Sequence, residues 1–458
     1  MKKYCWLFLH FFIFKVVLLG VAHGAFSESF APISIDLDRA VEIALSDDKS
    51  VKAAESDVAK AYEGKRQAHR ARGLTLKLEH NAARVKSQRE ENTLSVFGNT
   101  VSAMYPLYTG GLFESTIAAS EQELNSKIYS LERTRQEVRL AVANAFFAML
   151  RTEDMAKLAL DAVTRLEAHV RNVDVQYRNG KVSKADLLRS EVELISARQK
   201  MSQTVNEHKV AVKNLNNLMG MPLDTQLSYD GKMIYFLFPH TLEQCLEYAL
   251  SHHPDLAIAK ALKEKAKAGI SMEESAQKPK VSLAVTQALD SFSNQDWPGL
   301  EQDNIRFGLH AEYTFSDAGV TASKIRGAKE DLKKADYHYE ATQETIVLNV
   351  TKYFMTMEEA KTRIDISSVA LEKAQEAYKI SLARYREGIG TNIDVLDAQT
   401  ALNQAASNHT QALCDYNIAV AQVENAMGAM TLYLPPSSPA SFSEADTADI
   451  TSMKRRRR

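Results

Sequence analysis

The chain has 458 residues, of which 45 % are hydrophobic and 25 % are charged, which is enough apolar content for a packed globular or helical body. Beyond the N-terminus, charged residues interrupt every apolar run, and this excludes internal transmembrane helices. The formal net charge is −2, but without the first 24 residues and the terminal KRRRR it is −10, from 48 basic and 58 acidic residues. The basic end follows a Pro- and Ser-rich stretch, so we expect a disordered tail over 431–458 and no nucleic-acid partner.

Residues 1–24 have the features of a secretory signal peptide. Lys2 and Lys3 precede an apolar run, and the small residues Ala22 and Gly24 follow it. An uncleaved membrane anchor is the alternative, but Lys15 interrupts the apolar run. We therefore expect cleavage after about Gly24 and export of the mature chain.

The mature chain is predicted to consist of two copies of one structural unit. GKVSKADLLRSE at 180–191 is matched 208 positions later by GIGTNIDVLDAQ at 388–399, and Phe146 is matched at the same offset by Phe354. A stretch with prolines and turn residues separates the copies. The predicted boundaries are 25–220 for the first repeat, 221–240 for the linker and 241–430 for the second repeat.

Each repeat is predicted to contain a helix followed by a pair of β-strands, over 74–108 and 279–315. In the second pair Ile305, Phe307 and Leu309 alternate with polar residues, and the first pair shows a weaker alternation. Strands of about ten residues can cross a bilayer when tilted. A solvent-facing hairpin would show the same alternation, so this pattern leaves both possibilities open.

A long helical hairpin is predicted after each strand pair, over 110–220 and 319–430. Both tracts lack proline and are rich in helix-forming residues, and a continuous helix over 112–177 would be roughly 100 Å long. Their narrow apolar seams suit helices that pack side by side in the wall of a water-filled tube. Gly180 and Gly388 stand between successive long helices, where glycine accommodates the backbone of a helix cap.

Four strands per chain cannot close a membrane barrel, and open sheet edges are not tolerated in lipid. If the strand pairs span a membrane, the chain must oligomerise. Three copies would supply twelve strands around a pore wide enough for solutes.

The order of elements, and above all the stretch YREGIGTNIDVLDAQTALNQA at 385–405, resembles the TolC family of bacterial outer-membrane channels. The resemblance covers nearly all of the mature chain to about Met430. It implies a mixed α/β, mainly α-helical membrane protein: a homotrimeric 12-stranded β-barrel in the outer membrane, with four strands per chain, continued by a long periplasmic coiled-coil tunnel. It also implies a passive exit duct for efflux or type I secretion, surrounded by outer-membrane lipid. Its partners would be a periplasmic adaptor (membrane fusion) protein and an inner-membrane RND or ABC transporter.

The resemblance further implies that Asp394 and Asp397 form the constriction at the tunnel entrance. They lie three residues apart on one helix face, and a trimer would bring six carboxylates around the axis, a cation-preferring arrangement. Close like charges would raise some of their pKa values. The alternative is that acidic residues in a first helical turn only complement the helix dipole, which suffices for Asp186. It explains Asp397 less well, because Arg189 occupies the matching position in the first repeat.

Other entrance residues follow from the same resemblance. Asp186 and Tyr385 match two residues that link neighbouring hairpins in the family's closed entrance, but Gly390 stands where the family has an arginine. We therefore expect a differently latched entrance in this chain. The turns at Gly180 and Gly388 would dock the adaptor.

No catalytic machinery is visible: the chain has no phosphate-binding glycine loop, nucleophile elbow or Cys-x-x-Cys motif, and no enzyme activity or cofactor is expected. His252 and His253 lack further ligands at zinc spacing, so surface positions are predicted for them. The sequence leaves undecided whether Cys245 and Cys414 form a disulfide.

The alternative function is a secreted or surface coiled-coil structural or adhesive protein without a pore. Such a protein would need neither twin strand pairs nor an acidic pair at a helix tip.

Overall fold

The computed structural model describes residues 34–86, 93–225, 227–229, 231–294 and 297–429. The predicted signal peptide and C-terminal tail lie outside the described residues. Within them, helices dominate, which confirms the mainly α-helical prediction. None of the described helices is both long and apolar enough to cross a membrane.

The helices and strands occur in the same order in each half of the chain: two short helices, two strands, then two long helices. The helices are α1 (Leu37–Asp47), α2 (Lys49–Arg70), α3 (Leu112–Arg178), α4 (Lys184–Leu218), α5 (Leu242–His252), α6 (Pro254–Glu274), α7 (Val320–Arg386) and α8 (Asn392–Met427). The strands are β1 (Ser34–Ile35), β2 (Thr75–Lys86), β3 (Thr93–Tyr108), β4 (Ser228–Tyr229), β5 (Lys280–Asn294) and β6 (Trp297–Glu312).

The two longest helices, α3 and α7, have 67 residues each, so each is about 100 Å long. Both begin directly after a glycine in the left-handed conformation, Gly111 at φ 93° and Gly319 at φ 85°. Glycine populates this conformation without steric cost, which allows the chain to turn sharply from a strand into a helix. Helices α3 and α4 pack as one antiparallel hairpin, and α7 and α8 as another.

The long strands form one antiparallel sheet in the order β2-β3-β5-β6. Strand β3 joins the two strand pairs because it is hydrogen-bonded to β5 from Ser95–Ser293 to Tyr108–Val281, with a register shift beside Pro106. Strands β2 and β6 are therefore the two edges of the sheet. The short strands β1 and β4 pair in parallel, which ties the segment after α4 back to the first described residues.

The hydrophobic core lies halfway along the long helices. One cluster joins α1, the middle of α3 and the end of α4 through Phe146, Met149 and Leu215, and a second joins α5, α7 and α8 through Val350 and Tyr416. The Tyr416 hydroxyl donates to the carbonyl of Phe236, 2.6 Å away, in the segment predicted as a linker. This segment is thus packed onto the helices.

The structure decides the surroundings of the two neighbouring histidines and of the two cysteines. The surface prediction is wrong for His253, which is buried and caps α6 by accepting a 3.1 Å hydrogen bond from the Asp255 N–H through Nδ1. His252 is exposed and stacks on Tyr248. Cys245 and Cys414 are unpaired and belong to different core clusters, and burial raises the pKa of both thiols to about 11.

Candidate functional site

The turns at the tips of the two helical hairpins have the same backbone geometry. Gly180 and Gly388 have φ values of 69° and 78°, in the left-handed region that favours glycine. In each turn the N–H after the glycine bonds to a carbonyl five residues back: Lys181 to Gln176 at 2.9 Å, and Ile389 to Arg384 at 3.0 Å. This is the Schellman pattern, which satisfies the last carbonyls of a helix.

Asp394 lies in the first turn of α8, where it forms a capping box with Thr391. Its carboxylate accepts a 2.9 Å hydrogen bond from the Thr391 N–H, and its own N–H donates to the Thr391 hydroxyl at 3.2 Å. Hydrogen bonds from the Thr391 backbone and side chain to the carboxylate, with a smaller contribution from the charge of Arg384, hold the pKa of Asp394 below its usual value. Asp397 lies three residues further on, and both side chains are exposed in the single chain. The raised pKa values expected from a ring of carboxylates remain a prediction for the assembled protein.

Asp186 occupies the equivalent capping-box position at the start of α4. It accepts from the Ser183 N–H at 3.2 Å and from the Ser183 hydroxyl at 2.7 Å. Tyr385 is buried near it at the end of α7, and burial and the Asp186 charge both raise the pKa of Tyr385. Among the described residues, the Tyr385 hydroxyl has no hydrogen-bond partner. The structure thus makes Asp186 and Tyr385 neighbours without a hydrogen bond between them.

Gly390, at the position where an arginine was expected, packs tightly on the last turn of α7. Its N–H donates to the carbonyl of Arg384 at 3.1 Å. A Cβ at this position would lie 3.1 Å from the backbone nitrogen of Tyr385 and 3.2 Å from the Cβ of Arg384. A side chain at this position would require the last turn of α7 to shift by a few tenths of an ångström, which favours glycine here.

A buried polar cluster that sequence reasoning missed lies between the two hairpin tips. Asn392, the first residue of α8, inserts its side chain between α3 and α4. Its Oδ1 lies 2.7 Å from His169 Nε2 and 3.1 Å from the Ser190 hydroxyl, and its Nδ2 donates to the carbonyl of Asp186 at 3.0 Å. All three side chains are at most 4 % exposed, and the His169 ring lies 5.3 Å from that of Tyr385.

A weak signal of this cluster was present in the sequence. His169 continues the apolar face of α3 that is formed by Val163, Leu166 and Val173, all of which are buried. A histidine at an apolar position of a long helix is a candidate for a buried hydrogen bond. Its partner, however, is 223 positions away, and no local pattern identifies it.

The far end of the molecule, formed by the sheet, has one apolar and one polar face. Neighbouring residues across the four strands form rows, and one row is Leu76, Ala103, Val285 and Phe307, with Leu76 71 % and Phe307 74 % exposed. The adjacent row on the opposite face is Lys77, Ser102, Thr286 and Arg306. An exposed apolar face backed by a polar one is typical of a strand wall between lipid and water.

An exposed apolar strand face at one end, and two helical hairpins at the other that are each built on a helix of about 100 Å, are the features of an elongated membrane-associated protein. A family model described as "Outer membrane efflux protein" matches residues 40–221 and 245–429. The chain belongs to this family, which confirms the resemblance found in the sequence.

Relatives and solved structures agree with this assignment. Alkaline protease secretion protein AprF of Pseudomonas aeruginosa is 20 % identical over 341 residues, covering 73 % of this chain and 70 % of AprF. Outer membrane protein TolC of Vibrio cholerae is 22 % identical over 304 residues, covering 65 % of this chain and 69 % of TolC. The crystal structure of the Campylobacter jejuni CmeC outer membrane channel superposes with a TM-score of 0.75 at 15 % identity, covering 92 % of this chain and 89 % of CmeC.

Family membership confirms the predicted location in the outer membrane and the predicted function in efflux or secretion. It supports this function over the alternative of a coiled-coil structural or adhesive protein. AprF is named for secretion and CmeC is a channel, so these relatives are transport proteins rather than enzymes.

Proposed function

We propose that three copies of the chain assemble into an exit duct, with a twelve-stranded barrel in the outer membrane and a helical tunnel in the periplasm. The observation that carries the proposal is the open four-stranded sheet, whose edge strands β2 and β6 have no partner strand among the described residues. Unpaired edges cannot face lipid, and three such sheets joined edge to edge would have none. The apolar rows would then face lipid and the polar rows the lumen.

The helical hairpins offer further support for assembly. In the single chain, α4 and α7 carry large apolar side chains that are about half exposed or more, at spacings of three, four or more residues. They are Leu188, Val192 and Ile195 on α4, and Ile366, Val369 and Ile380 on α7. Narrow stripes of this kind suit side-by-side packing against a neighbouring copy in a tunnel wall.

In this assembly the two halves of the chain act as copies of one unit, 25–220 and 241–430, connected by 221–240. The tunnel narrows where the exposed Asp394 and Asp397 of three chains meet, and rings of acidic residues favour cations. Asp186 and Tyr385 lie beside this constriction. The turns at Gly180 and Gly388 contact the periplasmic adaptor, through which an inner-membrane RND or ABC transporter supplies the energy.

The proposal is tested by the conductance of the purified full-length protein in planar bilayers. We expect cation-selective pores that a trivalent cation blocks, because the carboxylate ring concentrates positive charge. In the double variant Asp394→Ala/Asp397→Ala, the block and most of the cation preference should disappear.

The matched control removes two exposed acidic side chains far from the tips, Glu243→Ala/Glu247→Ala on α5, and should leave the block unchanged. A folded protein that forms no pore would contradict the exit duct. Pores whose block survives in the Asp394/Asp397 variant would instead place the constriction at other residues.

A further inference from the structure

The side chain of Asn392 connects the two hairpins through both ends of its amide. Its Nδ2 donates to the carbonyl of Asp186, so its Oδ1 is the acceptor that faces His169 and Ser190. Since α8 begins at this residue, the three contacts fix the first turn of α8 against α3 and α4. Asp394 and Asp397 lie on that turn and the next one.

Asn392 Oδ1, as an acceptor, also determines which ring nitrogen of His169 carries the proton. A neutral imidazole carries one proton, and it must lie on Nε2 to reach Asn392 Oδ1. Nδ1 is then a bare acceptor, and it is buried without a hydrogen-bond partner among the described residues. Burial lowers the pKa of His169, while the hydrogen bond to Asn392 acts in the opposite direction. The structure therefore favours the neutral ring.

Apolar packing at the tips is sparse. The buried hydrophobic cluster there has only Val173, Tyr385 and Val395 as members within the described chain, whereas each of the two clusters halfway along the helices has 15. A region with few buried apolar contacts opens at low cost, so polar bonds make up a larger share of what holds it. Loss of a buried partner leaves the other group unsatisfied, and that penalty is larger than the hydrogen bond's own net contribution.

We propose that Asn392, His169 and Ser190 form a buried latch that joins the two hairpin tips and positions the first turn of α8, and that protonation of His169 releases it. The latch rests on the proposed function, since it holds the same turn that carries the Asp394 and Asp397 constriction. It also accounts for an entrance without an arginine at position 390. His169⁺ would have to remain as an unpaired buried charge in the latched state, whereas separation of the tips returns it to water.

Among the described residues, no titratable group near His169 provides a counter-charge, since only burial and the hydrogen bond to Asn392 act on its pKa. On α3, Arg165 donates to Asn403 at 3.0 Å, and on α4 the Asp186 carboxylate is held by Ser183. Helix α7 contributes the phenols Tyr378 and Tyr385, whose pKa values are raised by burial. On α8, the Asp394 carboxylate is held by the Thr391 N–H. Protonation of His169 therefore destabilises the latched state.

The test combines bilayer conductance with spin-label distances between the hairpins in the full-length protein. Labels are placed at the exposed positions Arg189 and Thr400, on α4 and α8. We expect Asn392→Ala to raise the ratio of open to closed pores roughly tenfold and to broaden the label distances, since it removes all three contacts. The matched control Asn408→Ala, an exposed residue of the same helix, should change neither.

The histidine is tested by its pH profile. Wild-type pores should open as the pH falls from about 7.5 to about 5, because a histidine released into water gains its proton near pH 6.5 and the buried ring resists protonation. In His169→Gln, whose amide donates to Asn392 at every pH, the pores should stay closed across this range, and in His169→Ala they should open across all of it. A merely structural role for His169 predicts no difference in pH profile between wild type and His169→Gln.

The outcomes separate the latch from the exit duct. Unchanged conductance and label distances in Asn392→Ala would overturn the latch while leaving the duct intact. Acid opening that persists in His169→Gln would overturn the role of His169 as the titrating group. If no variant conducts but the label distances respond as expected, the latch stands and the proposed duct fails.

Discussion

At the scale of single residues, the capping role of Asp186 and Asp394 makes any further role of these two residues hard to recognise from the sequence. Both are the third helical residue of a capping box, with Ser183 and Thr391 as their caps. The capping role alone would explain an acidic residue at both positions. Asp397 takes no part in a cap, and Asn392 makes its contacts to the other hairpin. These two residues, rather than Asp394, distinguish the start of α8 from the start of α4.

His253 gives a residue-level prediction about acid stability. Burial lowers its pKa to about 4, and the positive charge of Arg133 adds to this effect while Asp255 opposes it. The pKa of an unfolded histidine is about 6.5, so between these values the unfolded chain binds the extra proton. The neutral ring therefore stabilises the fold by about 3 kcal/mol above pH 6.5, and this contribution is lost as the pH falls towards 4.

Thermal unfolding between about pH 7.5 and 4.5 measures this effect. His253→Asn keeps a side-chain acceptor for the helix cap and cannot be protonated, so its melting temperature should fall less on acidification than that of wild type. His252→Asn, at the exposed neighbour, should behave like wild type. Equal acid sensitivity in all three proteins would show that other groups control it.

At the scale of elements, the sequence predicted the long helices and the second strand pair well. Proline-free helical tracts and the alternation around Ile305, Phe307 and Leu309 are local signals, and local signals determine these elements. The pairing of β3 with β5 and of β1 with β4 was not predictable, because each joins segments far apart in the chain. The buried contacts of Asn392 were not predictable for the same reason, because their partners are more than 200 positions away in the sequence.

The seam between α3 and α8 is another long-range feature. Arginines of α3 donate to side-chain amide oxygens of α8 along its length: Arg133 to Asn425 at 3.2 Å, Arg151 to Gln411 at 3.2 Å and Arg165 to Asn403 at 3.0 Å. Hydrogen bonds to a charged donor are stronger than neutral ones. The two hairpins are thus joined along their length as well as at their tips.

The two faces of β5 give a prediction at the same scale. Val285→Lys places a charge in the apolar row, where a lysine facing lipid costs about 2–4 kcal/mol at mid-bilayer depth. Thr286→Lys, one residue further on, places the same charge in the polar row beside Arg306. We expect Val285→Lys to reduce strongly the amount of folded protein recovered from outer membranes, and Thr286→Lys to have little effect. Equal recovery of both variants would contradict a lipid-facing apolar row.

At the scale of the whole molecule, the described single chain leaves two kinds of surface uncovered. Its sheet has two open edges, and its helices carry apolar stripes without partners in the described chain. Assembly of three copies would pair the sheet edges and cover the apolar stripes at the same time. A barrel from two copies would have only eight strands, and side chains would fill its interior.

The mass of the detergent-solubilised protein, measured by light scattering with the detergent contribution subtracted, tests this closure. We expect three times the mass of one mature chain. The Thr286→Lys variant, which leaves the strand edges unaltered, should give the same value. A single-chain or two-chain mass for a protein that retains its helical content would contradict the trimer.

The pairing of β3 with β5 has a consequence for how the chain folds. Ser95 and Ser293 are partners in the sheet although all of α3, α4, α5 and α6 lies between them in sequence. The hairpin of β2 and β3 can form early, but its inner strand stays uncovered until the second half of the chain has been synthesised and exported. Contacts of such sequence separation form slowly because the entropy of closing a long loop must be overcome first. Completion of the sheet, rather than growth of the long helices, should therefore limit the rate at which each chain matures.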